Sequence, residues 1–145
     1  MDTLILQYRD GYKGQVAKSL RNIQTPIRPA KDIVTEFIEL TMGGFLSIKS
    51  AYAYDFVSGG IDWPEWVKAA SLLHDAICQL HAEGHITDEQ RKQGDKWFKD
   101  ILMVNNKWMW VRWNIWYRGV RIGSKDGSEI RPIHKVKLKL PETRT

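Results

Sequence analysis

The stretch SLLHDAICQL, residues 71–80, places a histidine and an aspartate side by side in an apolar run that predicts a buried helix. Ionisable groups seldom lie in such a run without partners, because taking a charge out of water costs several kcal/mol. Each residue of an ideal helix turns by about 100°. His74 therefore lies over Cys78 at the edge of the apolar stripe, and Asp75 points about a quarter-turn away. A partner for His74 is expected on another element.

The segment that follows predicts a second helix, antiparallel to the first. The first helix is expected to run from about Trp63 to Glu83 and to end at Gly84, because glycine takes the backbone conformation that closes a helix. The sequence TDEQ at 87–90 has the pattern of an N-terminal capping box. A connection this short makes the two helices neighbours in space.

Asp95 on the second helix is the expected partner of His74. Gly94 beside it costs a helix about 0.5–1 kcal/mol relative to alanine, and a common reason to keep such a glycine is the close approach of a neighbour. Asp55 ends a predicted strand just before the SGG run, and it is the third acid expected to converge on this place.

These residues define the candidate catalytic site, which consists of His74, Asp75, Asp95 and Asp55. A carboxylate that holds one histidine tautomer, with further carboxylates nearby, is suited to activating a water molecule or holding a cation. A divalent cation near Asp55 or Asp75 is the candidate cofactor, and its identity stays open. Buried His-Asp pairs also simply cross-link helices, and this structural interpretation stays open as well.

The N-terminal part of the chain predicts antiparallel β-structure. The clearest hairpin covers residues 34–56, where apolar and polar residues alternate on both sides of a Gly-Gly turn. Residues 4–17 predict a further strand or hairpin around an Asp-Gly turn. Residues 21–32 contain two prolines, which remove backbone donors, and this segment is expected to form a surface connection.

The C-terminal part predicts a third helix and a basic tail. Apolar residues at helical spacing predict a helix from about Lys107 to Ile122, which ends at Gly123. Residues 123–145 include a stretch in which apolar residues alternate with lysines, and a strand of this kind needs a partner sheet to bury its apolar side. The tail is expected to dock either on the chain's own sheet or on a neighbouring molecule.

Together these patterns predict an α+β fold in a single domain, residues 1–145. N-terminal antiparallel β-hairpins (1–56, mainly β) pack on a C-terminal bundle of three helices (62–122, mainly α), and an extended basic tail or arm follows (123–145). A chain of 145 residues is long enough for one core. The single cysteine, Cys78, cannot form an internal disulfide and lies in an apolar run. We therefore expect Cys78 to be a core residue. We expect the protein to be in a reducing compartment.

The net charge of +5 is concentrated in the C-terminal quarter. Residues 1–106 carry 12 Lys and Arg against 14 Asp and Glu, whereas residues 107–145 carry 10 against 3. Cations beside an aromatic side chain suit a phosphate group, a nucleic acid or an acidic protein surface. A solvated basic face is the alternative. The candidate partner-binding or phosphate-binding residues are Lys107, Trp110, Arg118, Arg121, Lys137 and Lys139.

Membrane insertion and secretion are not expected. No apolar run of the sequence approaches the length of a membrane span. The N-terminus MDTLILQYRD lacks the pattern of a signal peptide. These observations predict an intracellular protein without a membrane span.

Several runs of the sequence resemble a known family. The runs EFIELTMGGFLSIKSAYAYDFVSGG, AASLLHDAICQL, RKQGDKWF and YRGVR resemble a bacteriophage-encoded family catalogued as domain of unknown function 1353. The resemblance covers most of the chain, including YRDGYKGQ near its start. The family motifs are an aromatic-Asp-x-x-Ser-Gly loop, a His-Asp helix and an Arg-x-x-x-Asp helix. They match Tyr54, Asp55, Ser58, Gly59, His74, Asp75, Arg91 and Asp95. The sequence departs from the family at Val57 and Cys78, where members usually carry proline and tyrosine.

The resemblance implies a phage or prophage origin, with other phage proteins as partners. Two functions from different classes fit it. In the favoured one, the protein is a virion structural or assembly component. Its basic third helix and tail dock onto acidic partners or DNA, and the His74–Asp95 pair clamps two helices. Such a protein is made in the host cytoplasm and then incorporated in the virion.

The alternative function is a small hydrolase. His74 would act as the general base, Asp95 would orient it, and Asp55 or Asp75 would hold a cation or polarise the substrate. Secreted calcium-dependent phospholipases also place a glycine-rich loop before a His-Asp helix, but this likeness is an analogy only.

Overall fold

The computed structural model describes residues 3–9, 14–54, 65–105 and 133–142. These residues form eight strands and two helices in the order β1 (Thr3–Arg9), β2 (Gly14–Val16), β3 (Leu20–Gln24), β4 (Ile33–Val34), β5 (Ile38–Leu40), β6 (Phe45–Ile48), β7 (Ala53–Tyr54), α1 (Glu65–Ala82), α2 (Asp88–Asn105) and β8 (Ile133–Lys139). The predicted α+β class is confirmed, with antiparallel sheets in the N-terminal part followed by helices. The predicted third helix, Lys107 to Ile122, lies outside the described residues.

The strands form two four-stranded antiparallel sheets, ordered β7-β2-β1-β8 and β3-β6-β5-β4. The hairpin predicted around the Gly-Gly turn is β5 and β6, with Leu40 opposite Leu46. Gly44 in this turn has a φ of 87°, which glycine adopts without the strain that a Cβ would cause. The hairpin predicted at residues 4–17 is β1 and β2, with Tyr8 opposite Val16. Both hairpin predictions are confirmed.

The predicted C-terminal tail is in part a strand of the first sheet. β8 pairs with β1 from Thr3, opposite Lys139, to Arg9, opposite Ile133. The side chain of Asn105, the last residue of α2, fixes the end of β8, because its Nδ2 donates to Lys139 O at 2.9 Å and its Oδ1 accepts from Lys139 N at 3.1 Å. Of the two dockings expected for the tail, docking on the chain's own sheet is therefore confirmed for residues 133–139.

The segment predicted to be a surface connection contains β3 and a buried turn. Ile23 and Ile27 are at most 3% exposed, so this segment belongs to the core. Thr25 closes the turn against the opposite hairpin, since both its backbone N and its Oγ1 donate to the carbonyl of Gly44, at 2.8 and 2.9 Å. The prediction was wrong because both prolines come after the end of β3, so they remove no backbone donor from the strand.

The start of α2 and the end of α1 lie where the sequence predicts them. The Thr87 Oγ1 accepts a hydrogen bond from Gln90 N at 3.1 Å, and the Gln90 side chain accepts one from Thr87 N at 2.9 Å, which is a capping box. At the end of α1, His85 N donates to Leu80 O at 2.9 Å around Gly84, whose φ is 81°. Neither helix is long and apolar enough to cross a membrane, and the described part of the chain has no other helix.

Helix α1 is the central element of the core. One cluster of buried side chains includes residues of both sheets and both helices. The side chains of α1 that are fully buried in it are Val67, Ala69, Ala70, Leu72, Leu73, Ala76, Ile77 and Leu80. Each buried leucine or isoleucine contributes about 1.5–3 kcal/mol relative to an exposed one, so α1 is held rigidly and the polar residues on its remaining face have fixed positions.

Candidate functional site

Helices α1 and α2 are in tight contact at Gly94. A Cβ atom at this position would lie 2.5 Å from Cγ2 of Ile77 on α1. A larger residue would therefore push the two helices apart. The prediction that Gly94 permits a close neighbour is confirmed, and the neighbour is a side chain of α1. Asp95, the next residue of α2, is consequently held beside α1.

The predicted contact between His74 and Asp95 is present. His74 Nε2 lies 2.7 Å from Asp95 Oδ1, and the two side chains are 18% and 49% exposed. An ionised carboxylate only accepts hydrogen bonds, so Nε2 carries the donated proton. Phe98, one turn further along α2, stacks on the imidazole with ring centroids 4.6 Å apart and an interplanar angle of 17°. The hydrogen bond and the stacked ring together fix the orientation of the imidazole.

Cys78 completes the site as a third member. Its Sγ lies 3.6 Å from Nε2 and 3.9 Å from Nδ1 of His74. Burial raises the pKa of the Cys78 thiol, and the Arg91 guanidinium opposes this shift, whereas the carboxylates of Asp95 and Asp75 add to it. The thiol is therefore protonated at neutral pH. Sequence reasoning missed this role, although the i, i+4 spacing of His74 and Cys78 signals it.

The three side chains do not form a nucleophilic triad. In such a triad the nucleophile and the carboxylate engage different nitrogens of the histidine ring. Here Asp95 is bonded to Nε2, and the Cys78 sulfur is also closer to Nε2 than to Nδ1. A thiol whose pKa is raised by burial is moreover a weak nucleophile at neutral pH. The arrangement is better suited to holding the helices together or to binding an ion.

The remaining predicted site residues are only partly described. Asp75 lies next to His74 on α1, and its charge acts on the Cys78 thiol. Asp55 lies outside the described residues, so its predicted convergence on the site stays a prediction. The candidate partner-binding residues that also lie outside the described part of the chain are Lys107, Trp110, Arg118 and Arg121.

A second His-Asp pair joins the same two helices at their connected ends. His81 Nε2 in the last turn of α1 lies 2.6 Å from Oδ1 of Asp88, the first residue of α2. The hydrogen bond from His81, together with the attraction of its charge, holds the pKa of the Asp88 carboxyl below its usual value. No cysteine accompanies this pair, since Cys78 is the only one in the chain. It therefore serves as an internal comparison for the His74 site.

The predicted binding residues Lys137 and Lys139 lie on an exposed face of the first sheet. With Lys135 they alternate along β8 with the buried Val136 and Leu138. Their partners on β1 are Gln7, Ile5 and Thr3. We call these six residues the lysine face. The ion pairs found among the described residues do not involve its lysines.

A groove borders the lysine face. It has a volume of about 240 Å³, and it is lined by Ile5, Gln7, Lys18, Ser19, Leu20 and Lys135. Two ammonium groups thus flank one concave polar surface. Such a surface is suited to a carboxylate or a phosphate group.

Comparison with protein-family models, with curated proteins and with solved structures gives no match for this chain. The resemblance to the bacteriophage family accordingly stays a prediction that rests on the motifs quoted above.

Proposed function

We propose that this protein is a virion structural or assembly component of a bacteriophage, and that it docks through the lysine face onto an acidic surface of another phage protein. The phage setting rests on the sequence resemblance. The observation that carries the docking role is the row formed by Lys135, Lys137 and Lys139. These three side chains are exposed and form none of the ion pairs found among the described residues.

The lysines stand on a rigid support. Residues two apart on a strand are separated by roughly 6.6 Å and point to the same side, so the three lysine side chains leave the strand in a regular row. The row is fixed by the pairing of β8 with β1 and by the two bonds from Asn105. A preformed row loses less conformational entropy on binding than a flexible tail would. This supports a docking function for the basic segment.

An acidic protein surface fits the lysine face better than a single-stranded nucleic acid does. Single-stranded nucleic acid is bound by positive charge combined with aromatic platforms on which bases stack. The lysine face carries no aromatic side chain, and its apolar residue, Ile5, lines the groove and is 47% exposed. An apolar contact rimmed by cations is typical of a protein interface.

The test is incorporation into particles. We expect a variant with Lys135→Gln, Lys137→Gln and Lys139→Gln to bind its particle about 10- to 100-fold more weakly, since three exposed ion pairs contribute about 1–3 kcal/mol together. The amount of each variant in purified particles is measured by quantitative mass spectrometry after complementation in trans. Raised salt should release the parent protein, because salt screens exposed charges.

A matched control removes the same charge elsewhere. Lys92, Lys96 and Lys99 are exposed on α2, and their replacement by glutamine leaves the lysine face unchanged. This control variant is expected to enter particles like the parent. Absence of the parent protein from purified particles, or equal loss of both variants, would contradict the proposal. Binding to DNA in preference to particle proteins would contradict the choice of partner.

The hydrolase remains the second candidate, because His74 and Asp95 are 2.7 Å apart. In this function Asp95 orients the ring through Nε2, and Nδ1 is the nitrogen left to accept a proton from water. Asp55 or Asp75 would hold a cation or polarise the substrate. Turnover of an ester, phosphoester or peptide substrate that disappears in both His74→Asn and Asp95→Asn, without loss of stability, would favour this function over docking.

A further inference from the structure

The cluster of His74, Cys78 and Asp95 brings together three different kinds of donor atom. A nitrogen, a sulfur and a carboxylate oxygen lie within 4.8 Å of one another. His74 and Cys78 share one face of α1 at i, i+4 spacing, which is the spacing of helical metal-ligand pairs. Asp95 comes from α2, at the place where Gly94 lets the helices meet. A helix clamp needs only the histidine and the carboxylate, so it does not account for the sulfur.

The Sγ–Nε2 distance is that of a tetrahedral zinc site, and the Nε2–Oδ1 distance is shorter than in such a site. Two ligand atoms on one tetrahedral Zn²⁺ are separated by about 3.5 Å for sulfur and nitrogen and by about 3.4 Å for nitrogen and oxygen. Cys78 Sγ and His74 Nε2 are 3.6 Å apart, which agrees with the first value. His74 Nε2 and Asp95 Oδ1 are 2.7 Å apart and must separate by about 0.7 Å to reach the second. The Asp95 side chain is 49% exposed, so a rotation about its own bonds is enough.

We infer that His74 Nε2, Cys78 Sγ and Asp95 Oδ1 bind a Zn²⁺ ion, with a fourth position open to solvent. Nitrogen, sulfur and oxygen donors together are the ligands of zinc, whereas Ca²⁺ and Mg²⁺ require oxygen ligands. The candidate cation site thus moves from the predicted carboxylates Asp55 and Asp75 to this cluster. Three protein ligands with one open position are typical of catalytic zinc. With the ion bound, Nδ1 of His74 carries a proton, so the ion would replace His74 as the group that activates water in the hydrolase candidate.

Binding requires two proton movements. The Cys78 S–H bond breaks, its proton passes to the buffer, and the Sγ–Zn bond forms. The imidazole proton leaves Nε2, so Nε2 can bind the ion while Nδ1 becomes the protonated nitrogen. Arg91 lies close enough to Cys78 to favour its thiolate. Phe98 keeps the ring in its plane during this change. Both residues support the ligands without contacting the ion.

The experiment uses the full chain after removal of metal with a chelator. Zn²⁺ is titrated against a chromophoric competitor, and the reaction of the single cysteine with a thiol reagent is followed with and without one equivalent of Zn²⁺. We expect one bound ion per chain and alkylation slowed about tenfold or more, because a metal-bound thiolate is held by its ion. Mg²⁺ and Ca²⁺ should not slow it. Co²⁺ should give the ultraviolet charge-transfer band of a cobalt–thiolate bond.

Variants locate the ion. We expect Cys78→Ser and Asp95→Asn each to weaken Zn²⁺ binding by about 100-fold or more, since even loss of a residue that supports a ligand costs about 10- to 100-fold. The matched control is His81→Asn, which removes the second His-Asp pair of the same helices and should leave the affinity unchanged.

Two results would overturn the inference. One is alkylation of the unmodified protein at the same rate with and without Zn²⁺, a measurement that depends on no variant. The other is that His81→Asn and Cys78→Ser weaken Zn²⁺ binding equally, which would place the ion elsewhere. Neither result bears on particle docking, because the lysine face shares no residue with this cluster.

Discussion

The side chain of Asn105 binds both backbone groups of Lys139, and it thereby joins the end of α2 to the end of β8. An amide can do this because it offers a donor and an acceptor on one planar group. We expect Asn105→Ala to lower the free energy of unfolding by about 1–2 kcal/mol, since each such bond contributes about 0.5–1.5 kcal/mol. Asn105→Asp should cost at least as much, because a carboxylate would face the Lys139 carbonyl. Urea denaturation checks both values, and a stable Asn105→Asp variant would contradict the arrangement.

The His74–Asp95 hydrogen bond should stabilise the helix pair. We expect a double-mutant cycle with His74→Ala and Asp95→Ala to give a coupling energy of about 0.5–1.5 kcal/mol in the metal-free protein. His74→Ala alone should cost more than Asp95→Ala, because it also removes the ring that stacks on Phe98. Thermal and urea unfolding give the four stabilities. Strict additivity of the two changes would show that the contact contributes nothing to stability.

Gly94 should be intolerant of even one added methyl group. Gly94→Ala gains helix propensity of about 1 kcal/mol, but its Cβ would lie 2.5 Å from Ile77 Cγ2. Overpacking of this kind costs about 1–3 kcal/mol, so we expect the melting temperature to fall. Gln93→Ala, at an exposed neighbouring position of α2, is the control and should not lower it. A Gly94→Ala protein more stable than the parent would mean that the helices have room to separate.

The His81–Asp88 pair predicts a specific pH dependence of stability. The pKa of the Asp88 carboxyl is lowered in the folded protein, first by the His81 hydrogen bond and then by its charge. A lowered pKa contributes stability above the unfolded pKa, and this contribution is lost as the pH falls through the folded pKa. We expect Asp88→Asn to be less stable than the parent at about pH 5, and we expect this deficit to shrink as the pH is lowered towards about 2. Urea denaturation at both pH values tests this.

A control and a contrary result complete this test. Asp100→Asn removes a carboxylate of α2 that forms none of the ion pairs found among the described residues. It should show no comparable change between the two pH values. A deficit of Asp88→Asn that is the same at both pH values would mean that the ionised carboxylate does not stabilise the fold.

Local patterns were sufficient to predict the helix pair and its contact. The capping box of Thr87 and Gln90 fixed the start of α2, and the short connection made the helices antiparallel. Helical geometry then placed Asp95 beside His74. Each of these inferences depends on residues close together in the sequence. Because they are local, the structure confirms them.

The missed strand has a different cause. In β3 the buried residues are Leu20 and Ile23, three positions apart, because the register shifts between them. Asn22 at this irregularity has a φ of 56°, and its backbone N donates to Ser47 Oγ at 3.1 Å. A bulge adds a residue to one strand and so breaks the alternation of period two. The sequence pattern therefore concealed a strand that pairs normally on both sides of the bulge.

The partner of β8 was also beyond local inference. The alternation of lysines with Val136 and Leu138 predicts a strand, but it carries no information on which edge the strand joins. Its partner, β1, lies at the other end of the sequence. Cys78 was missed for a related reason. Its apolar neighbours suggested the core, whereas its role depends on Asp95 of the other helix.

The pairing of β1 with β8 has a consequence for biosynthesis. β1 leaves the ribosome before both helices, whereas β8 emerges only after both have been translated. Until then the hydrogen-bonding groups on one edge of β1 have no native partner, and an exposed strand edge is a template for aggregation. Contacts this distant in sequence also slow folding. Truncation before β8 should therefore yield a chain that aggregates while it is being made.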